Sequence, residues 1–334
     1  MFYSTYRPKT IAELDNSTVK EVINLLLSSK NIPHAFIFIG QKGTGKTSTA
    51  RIVAKSLNCL KNHFAGRGSS VEPCNTCPSC LAIDASSSPD ITELDAASNR
   101  GIEDIKKIIM EASFLPLSAR KRIFIIDEAH MITNEGFNAL LKTLEEPPAQ
   151  AVFILATTNV EKVPKTIVSR CSIVNFGIAK KEDLIKMLNR IAASEKISVS
   201  KETIELISVN ADHSFRDAAK LLEELSVQKR LNYKDANSYL GLVKQDFLNI
   251  LFTEDLTQAL EWIQFFEKQG GSIKNLLTEL LNELHELLLT PTGKVPPRTI
   301  ARLMKLLNEA YSSTRYAPLE SIPLEIAVVE FYNS

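Results

Sequence analysis

The chain has no excess of charge: 39 Lys and Arg residues balance 39 Asp and Glu, leaving a formal net charge of zero. That excludes a bulk electrostatic grip on DNA or an anionic membrane and leaves only a local basic strip. No apolar run is long enough to span a bilayer, and the opening MFYSTYRPKT lacks the apolar core of a signal peptide. A cytoplasmic protein with no membrane contact is the expectation. There is no internal repeat and no low-complexity tail; AGRGSSVEP (65–73) is the nearest thing to a loose segment. Cysteine is scarce, and four of the five cysteines cluster as metal ligands do, with Cys171 apart. The length suffices for two or three domains, each with its own core.

What is present falls into two regimes. AFIFI (35–39), DITEL (90–94), RIFII (122–126), AVFILA (151–156) and SIVNF (172–176) are apolar runs of strand length. Helical patterns around 46–58, 101–112 and 135–145 separate most of them, so an α/β domain with a parallel sheet covered on both faces is expected. After Gly177 the pattern is helical only, with breaks near Gly241, at Gly270-Gly271 and at PTGKVPP (291–297). Leucines at 276, 277, 280, 281, 284, 287 and 288 share one helical face, either an intrachain core or a collar for subunit assembly. Divisions near 177 and 242 give expected domains of 1–177, 178–242 and 243–334.

Gly40-Gln41-Lys42-Gly43-Thr44-Gly45-Lys46-Thr47, followed by Ser48, is a full P-loop between an expected strand and an expected helix. Its glycines let backbone N–H groups turn toward phosphates, and the helix N-terminus adds partial positive charge. Lys46 then reaches the β- and γ-phosphates of ATP, and Thr47 ligates Mg²⁺. The second half of the site is IFIIDEAH (123–130), where Asp127 ends its strand to hold Mg²⁺ and Glu128 polarises the attacking water. Together these make an ATPase site.

The letters Asp-Glu-Ala-His also mark a helicase class. Such a helicase needs a second strand–helix domain with arginines in a glycine-rich box late in the chain, and the sequence after 177 has neither. Cys59, Cys74, Cys77 and Cys80 follow C-x14-C-x2-C-x2-C, four thiolates suited to tetrahedral Zn²⁺ with no open position, in a structural module of about 59–80. The long first gap also carries His63, a conceivable substitute ligand.

The rest points to a family. YRPKT (6–10), HAFIFIGQKGTGKTSTARIVAKSLNC (34–59), the cysteines, DAASNRGIEDIK (95–106), FNALLKTLEEPP (137–148), FILATT (153–158), VPKTIVSRC (163–171) and HSFRDAAKLLEE (213–224) resemble the AAA+ clamp loaders. Among these the chain is most similar to the gamma/tau subunits of bacterial DNA polymerase III, over nearly its whole length.

The resemblance implies an AAA+ domain, a small helical lid and an all-α collar. It implies that Thr158 is sensor 1, Arg170 an arginine finger acting on a neighbour's ATP, and Arg216 the lid arginine at the γ-phosphate in cis. Arg7 and Pro8, with Tyr6, fall in the segment beside the adenine. Arg100 and Lys106 fall in the DNA-tracking region, where contacts to phosphates position a duplex without reading it. The implied partners are the other subunits of a pentameric clamp loader, the sliding clamp, primed-template DNA and the polymerase III core. Alternative readings are a non-hydrolysing stator-type subunit, against which Lys46, Thr47, Asp127 and Glu128 argue, or another AAA+ DNA remodeller, which leaves the cysteines and Ser169-Arg170-Cys171 unexplained.

Overall fold

A computed structural model describes residues 1–29, 31–62, 71–98, 101–240, 246–253, 255–268, 273–289, 295–314 and 317–333. The elements of the first part are α1 (Phe2–Thr5), α2 (Ser17–Leu27), β1 (Ala35–Gly40), α3 (Lys46–Asn58), α4 (Pro78–Asp84), β2 (Ile91–Asp95), α5 (Ile102–Ala112) and β3 (Arg122–Asp127). Next come α6 (Asn134–Glu145), β4 (Ala151–Thr157), α7 (Lys165–Val168), β5 (Ser172–Gly177), α8 (Lys181–Ser194), α9 (Lys201–Asn210) and α10 (Phe215–Val227). Six further helices follow: α11 (Tyr233–Leu240), α12 (Asp246–Thr253), α13 (Leu256–Lys268), α14 (Ile273–Leu289), α15 (Pro297–Thr314) and α16 (Ile322–Tyr332). None of the described helices is long and apolar enough to cross a membrane.

The five strands expected from the apolar runs all form, each within a residue of its expected ends. They pair in parallel in the order β2-β3-β4-β1-β5. Side chains alternate between the two faces with period two. Phe36, Phe38, Ile123, Ile125, Val152 and Ile154 enter one buried cluster with α2 and α3, while Ile37, Phe124, Ile126, Phe153 and Leu155 enter another with α5 and α6. Burial on both faces is why β1, β3 and β4 read as unbroken apolar runs. The carboxyl ends of these three central strands lie together, where open parallel sheets carry their sites.

The chain divides into two compact units, 1–231 and 232–334. Helices α8–α10 belong with the sheet. The three-domain division of the sequence places one boundary inside the first unit and the other, near 242, among 241–245, outside the described residues. In the second unit the leucine face of α14 enters that unit's own core: Leu276, Leu277, Leu280 and Leu284 are at most 1% exposed, and Leu281, Leu287 and Leu288 pack partly buried against it. Trp262 stacks between Phe247 and Phe266, at 4.5 and 5.2 Å between ring centroids.

Asp90, at the mouth of β2, ties down the turn that follows α5. Its buried carboxylate accepts the backbone N–H groups of Leu117 (2.6 Å), Ser118 (2.8 Å) and Ala119 (2.8 Å) and the Ser118 hydroxyl (3.1 Å). Burial pushes its pKa up, but these donors outweigh burial and hold it below the ordinary value. Its stabilisation is therefore fully present above pH 3.8 and is lost as pH falls through the depressed folded value. Asp90→Asn turns an amide donor toward backbone donors, and urea unfolding at neutral pH should show a loss of about 2–3 kcal/mol that shrinks in acid.

Candidate functional site

Gly43 (φ 80°) and Gly45 (φ 97°) bend the chain after β1 through left-handed conformations that other residues rarely adopt. Gly45 is the N-cap of α3, and no side chain caps that end. The first amides of α3, on Lys46, Thr47 and Ser48, therefore face the cleft with the positive end of the helix. Lys46 is 6% exposed, and its Nζ donates to the carbonyls of Gly40 (2.8 Å) and Gln41 (2.9 Å). Burial lowers its pKa, against the opposing pull of Glu128 and Asp127.

The Thr47 hydroxyl donates to Asp127 Oδ2 at 2.6 Å, so the two oxygen groups expected to hold Mg²⁺ meet at one point. Hard oxygen donors of this kind fit that ion. Glu128 leaves the strand in a left-handed conformation (φ 48°, ψ 43°), which costs on the order of 1–2 kcal/mol for a side chain of its kind. Its Oε2 accepts the hydroxyl of Thr158 at 3.1 Å. Thr157, by contrast, is fully buried and bonds to Asn159, so of the two adjacent threonines it is the Thr158 hydroxyl that reaches Glu128.

Helix α10 closes the cleft from the other side. Phe215 N–H donates to the Gly43 carbonyl at 3.1 Å, and a Cβ on Gly43 would lie 1.9 Å from Ser214 Oγ. Arg216, one residue on, faces the cleft with its guanidinium 4.9 Å above the Tyr3 ring. Arg7 lines the same wall; burial, and then Arg51 and Arg216, hold its pKa below the usual value. A chain of zero net charge has gathered like charges here, a cradle for a polyanion. Pro8, Phe2, Tyr3, Met187, Ile191, Phe215 and Ala219 supply an apolar wall of the kind an adenine ring fits.

Most of that wall was not legible in the sequence. The N-terminal segment reaches it through contacts far apart in the chain: Tyr6 Oη to Glu195 (2.7 Å), Phe2 N–H to Glu223 (3.0 Å), Ser17 to Asp183 (3.1 Å) and Arg190 to Asp15 (2.8 Å). Glu195 raises the Tyr6 pKa through that hydrogen bond.

The structure brings Arg7, Pro8, Lys42 through Ser48, Asp127, Glu128 and Arg216 to one cleft, with Gln41 and Thr158 lining the recess beside it. Arg170 is elsewhere: its guanidinium pairs with Glu145 and donates to the Thr166 carbonyl at 2.7 Å. Lys106 is exposed on α5 and pairs with Glu103 at 3.0 Å. Arg100 and His63 lie outside the described residues.

The sulfurs of Cys59, Cys74, Cys77 and Cys80 all lie within 4.8 Å of one another, which fits one metal ion bound by four thiolates. Backbone N–H groups point at them: Cys74 N at Cys59 Sγ (3.4 Å), Cys77 N at Cys74 Sγ (3.3 Å) and Cys80 N at Cys77 Sγ (3.5 Å). The hydroxyl and N–H of Thr76 hold the Cys74 thiol down at about 5. Lys55 of α3, 1% exposed, reaches into this module to Asp84 and to Asn75 Oδ1, both at 2.8 Å, and so braces the P-loop helix. Cys171 lies apart, and burial pushes its thiol up to about 12.

A parallel sheet carrying a P-loop after β1, an acidic pair at the end of β3 with β4 between them, and a helical cover defines an AAA+ ATPase fold. Solved structures agree: the Thermotoga maritima RuvB Holliday junction branch migration motor superposes with a TM-score of 0.51 over 74% of each chain at 18% identity, a likeness of fold. The family profile described as DNA polymerase III, delta subunit, matches residues 15–180. DNA polymerase III subunit gamma of Buchnera aphidicola subsp. Baizongia pistaciae is 35% identical over 84% of this chain and 76% of its own length. DNA polymerase III subunit tau of Bacillus subtilis is 32% identical over 98% of this chain and 62% of its own. For gamma/tau of Mycobacterium tuberculosis H37Rv the figures are 36%, 86% and 50%. The chain belongs to the gamma/tau family of DNA polymerase III subunits, and spans about half to three-quarters of the length of these relatives.

Gly43→Ala sets a Cβ against Ser214 in a disfavoured conformation, and should lower the unfolding free energy of the first unit by about 2 kcal/mol or more. Because the clash is with one hydroxymethyl group, Ser214→Gly in the same chain should recover part of the loss, read as a coupling above about 0.5 kcal/mol in a double-mutant cycle.

Proposed function

We propose that this chain is an ATP-hydrolysing motor subunit of a bacterial DNA polymerase III clamp loader, which uses ATP to open a sliding clamp and place it on primed DNA. The observation that carries this reading is the convergence of Lys46, Thr47, Asp127, Glu128 and Arg216 on one cleft between sheet and helical cover. Residues 178–242 are then a lid and 243–334 a collar for assembly with companion subunits.

In the proposed reaction the α3 amides and Lys46 hold the β- and γ-phosphates, with Arg7 and Arg216 adding charge. Thr47 and Asp127 would hold Mg²⁺, which when bound polarises the phosphoryl oxygens. Glu128 takes the proton of the attacking water, and Thr158 steadies the carboxylate. The placement of Arg170 outside its own cleft supports a role in trans, its guanidinium stabilising charge on a neighbouring subunit's phosphoryl group. Hydrolysis is thereby tied to assembly. Lys106, with Arg100, is proposed to contact duplex phosphates. Cys59, Cys74, Cys77 and Cys80 are proposed to hold Zn²⁺ in a structural role.

Two measurements test the reading. Steady-state ATP hydrolysis by the full chain with companion subunits and clamp should rise with primed-template DNA over blunt duplex, and Arg170→Ala should cut the stimulated rate by about 10³-fold. A rate indifferent to primer and to Arg170 would refute a clamp-loading motor. Metal analysis should find one zinc per chain, and its removal by chelator should lower the melting temperature by more than about 5 °C; a metal-free chain of unchanged stability would refute the zinc site.

A further inference from the structure

The turn after β3 carries a residue with no part in the scheme above. His130 is largely buried, with Nδ1 at 3.2 Å from Thr157 Oγ1 and 3.4 Å from Glu128 Oε2. Both neighbours fix its tautomer. The Thr157 hydroxyl already donates to the Asn159 carbonyl and accepts the Asn159 N–H, each at 3.1 Å, so its remaining lone pair can only accept. An ionised carboxylate also only accepts. Nδ1 therefore carries the proton, which it donates to Thr157 Oγ1 with the Glu128 carboxylate close by.

Glu128 Oε2 thus accepts the Thr158 hydroxyl and has the His130 ring nitrogen Nδ1 beside it at 3.4 Å. Among the described residues no hydrogen bond is made to Oε1. We propose that His130 is a positioning residue for ATP hydrolysis: with Thr158 it pins Glu128 Oε2 and presents Oε1 as the base that accepts the water proton. This inference rests on the hydrolytic reading above.

The need for a second anchor follows from the backbone. Glu128 springs from a left-handed turn, where no neighbouring strand sets its side-chain direction. A single bond from the exposed Thr158 would leave the carboxylate free to turn about its last torsion. His130 supplies the rigidity, because its own partner Thr157 is fully buried in register with Ile39 of β1, beside the P-loop. The relay runs from the central sheet through Thr157 and His130 to the base. Such placement matters, since a positioned general base contributes about 10²–10⁴-fold and a displacement of about 1 Å can forfeit 10².

The test uses the full chain assembled with companion subunits, clamp and primed DNA, and compares His130→Ala, His130→Gln and His130→Asn. Asn places an amide nitrogen near Nδ1, whereas Gln places one near Nε2. The Ala and Gln variants should lose about 10–100-fold in kcat, with KM and the affinity for a fluorescent ATP analogue within about twofold of wild type. The Asn variant should recover most of kcat. An unchanged or raised kcat in Ala and Gln overturns the proposal, as does an Asn variant no better than Ala. A parallel fall in nucleotide affinity and melting temperature in all three also overturns it, by making His130 a structural residue. If the wild-type assembly itself does not hydrolyse ATP, the hydrolytic reading fails and the inference with it; if it does and the variants match it, only the inference fails.

Discussion

One backbone hydrogen bond, from Phe215 N–H to the Gly43 carbonyl, joins the helical cover to the loop that bends after β1. Around it the fold has little freedom. Gly43 has no room for a side chain because Ser214 lies against it, and the left-handed φ there suits glycine alone. The same contact sets Arg216 over the cleft and, with the bonds of Phe2, Asp15 and Ser17 to α10 and α8, ties the helical cover into the same compact unit as the sheet. A phosphate entering beneath α10 meets the loop and the cover at once.

The sheet and the phosphate site were legible because their signals are local. Burial on both faces writes β1, β3 and β4 as continuous apolar letters, and the P-loop is a single run of eight residues. The cysteines were legible by spacing, and the structure gathers them. What the sequence concealed lies in pairings across long separations: Phe2 to Glu223, Tyr6 to Glu195 and Arg170 to Glu145 leave no periodic trace. The boundary after 177 marks a change from strands to helices in composition, but composition does not report that α10 is bonded back to the P-loop. Likewise nothing in Thr157-Thr158 tells which hydroxyl is buried. Only the end of β4 against β1 decides it.

Two braces hold the phosphate loop from opposite ends of α3. At its start the glycine turn is fixed by α10; near its end Lys55 crosses to Asp84 and Asn75 in the cysteine module. A buried lysine is costly to leave unpaired, so its bonds to Asp84 and Asn75 couple the module to the helix. This gives the cysteine cluster a physical link to the nucleotide site without any part in chemistry.

The central claim is that the cleft between P-loop and α10 binds a nucleotide through Lys46. Calorimetric titration of the full chain with ATP and Mg²⁺ tests it most directly. The expected result is one site per chain, with Lys46→Ala weakening affinity by about 100-fold or more while the melting temperature is kept. Binding that is indifferent to Lys46, or no binding by a folded chain, would contradict the assignment of this cleft.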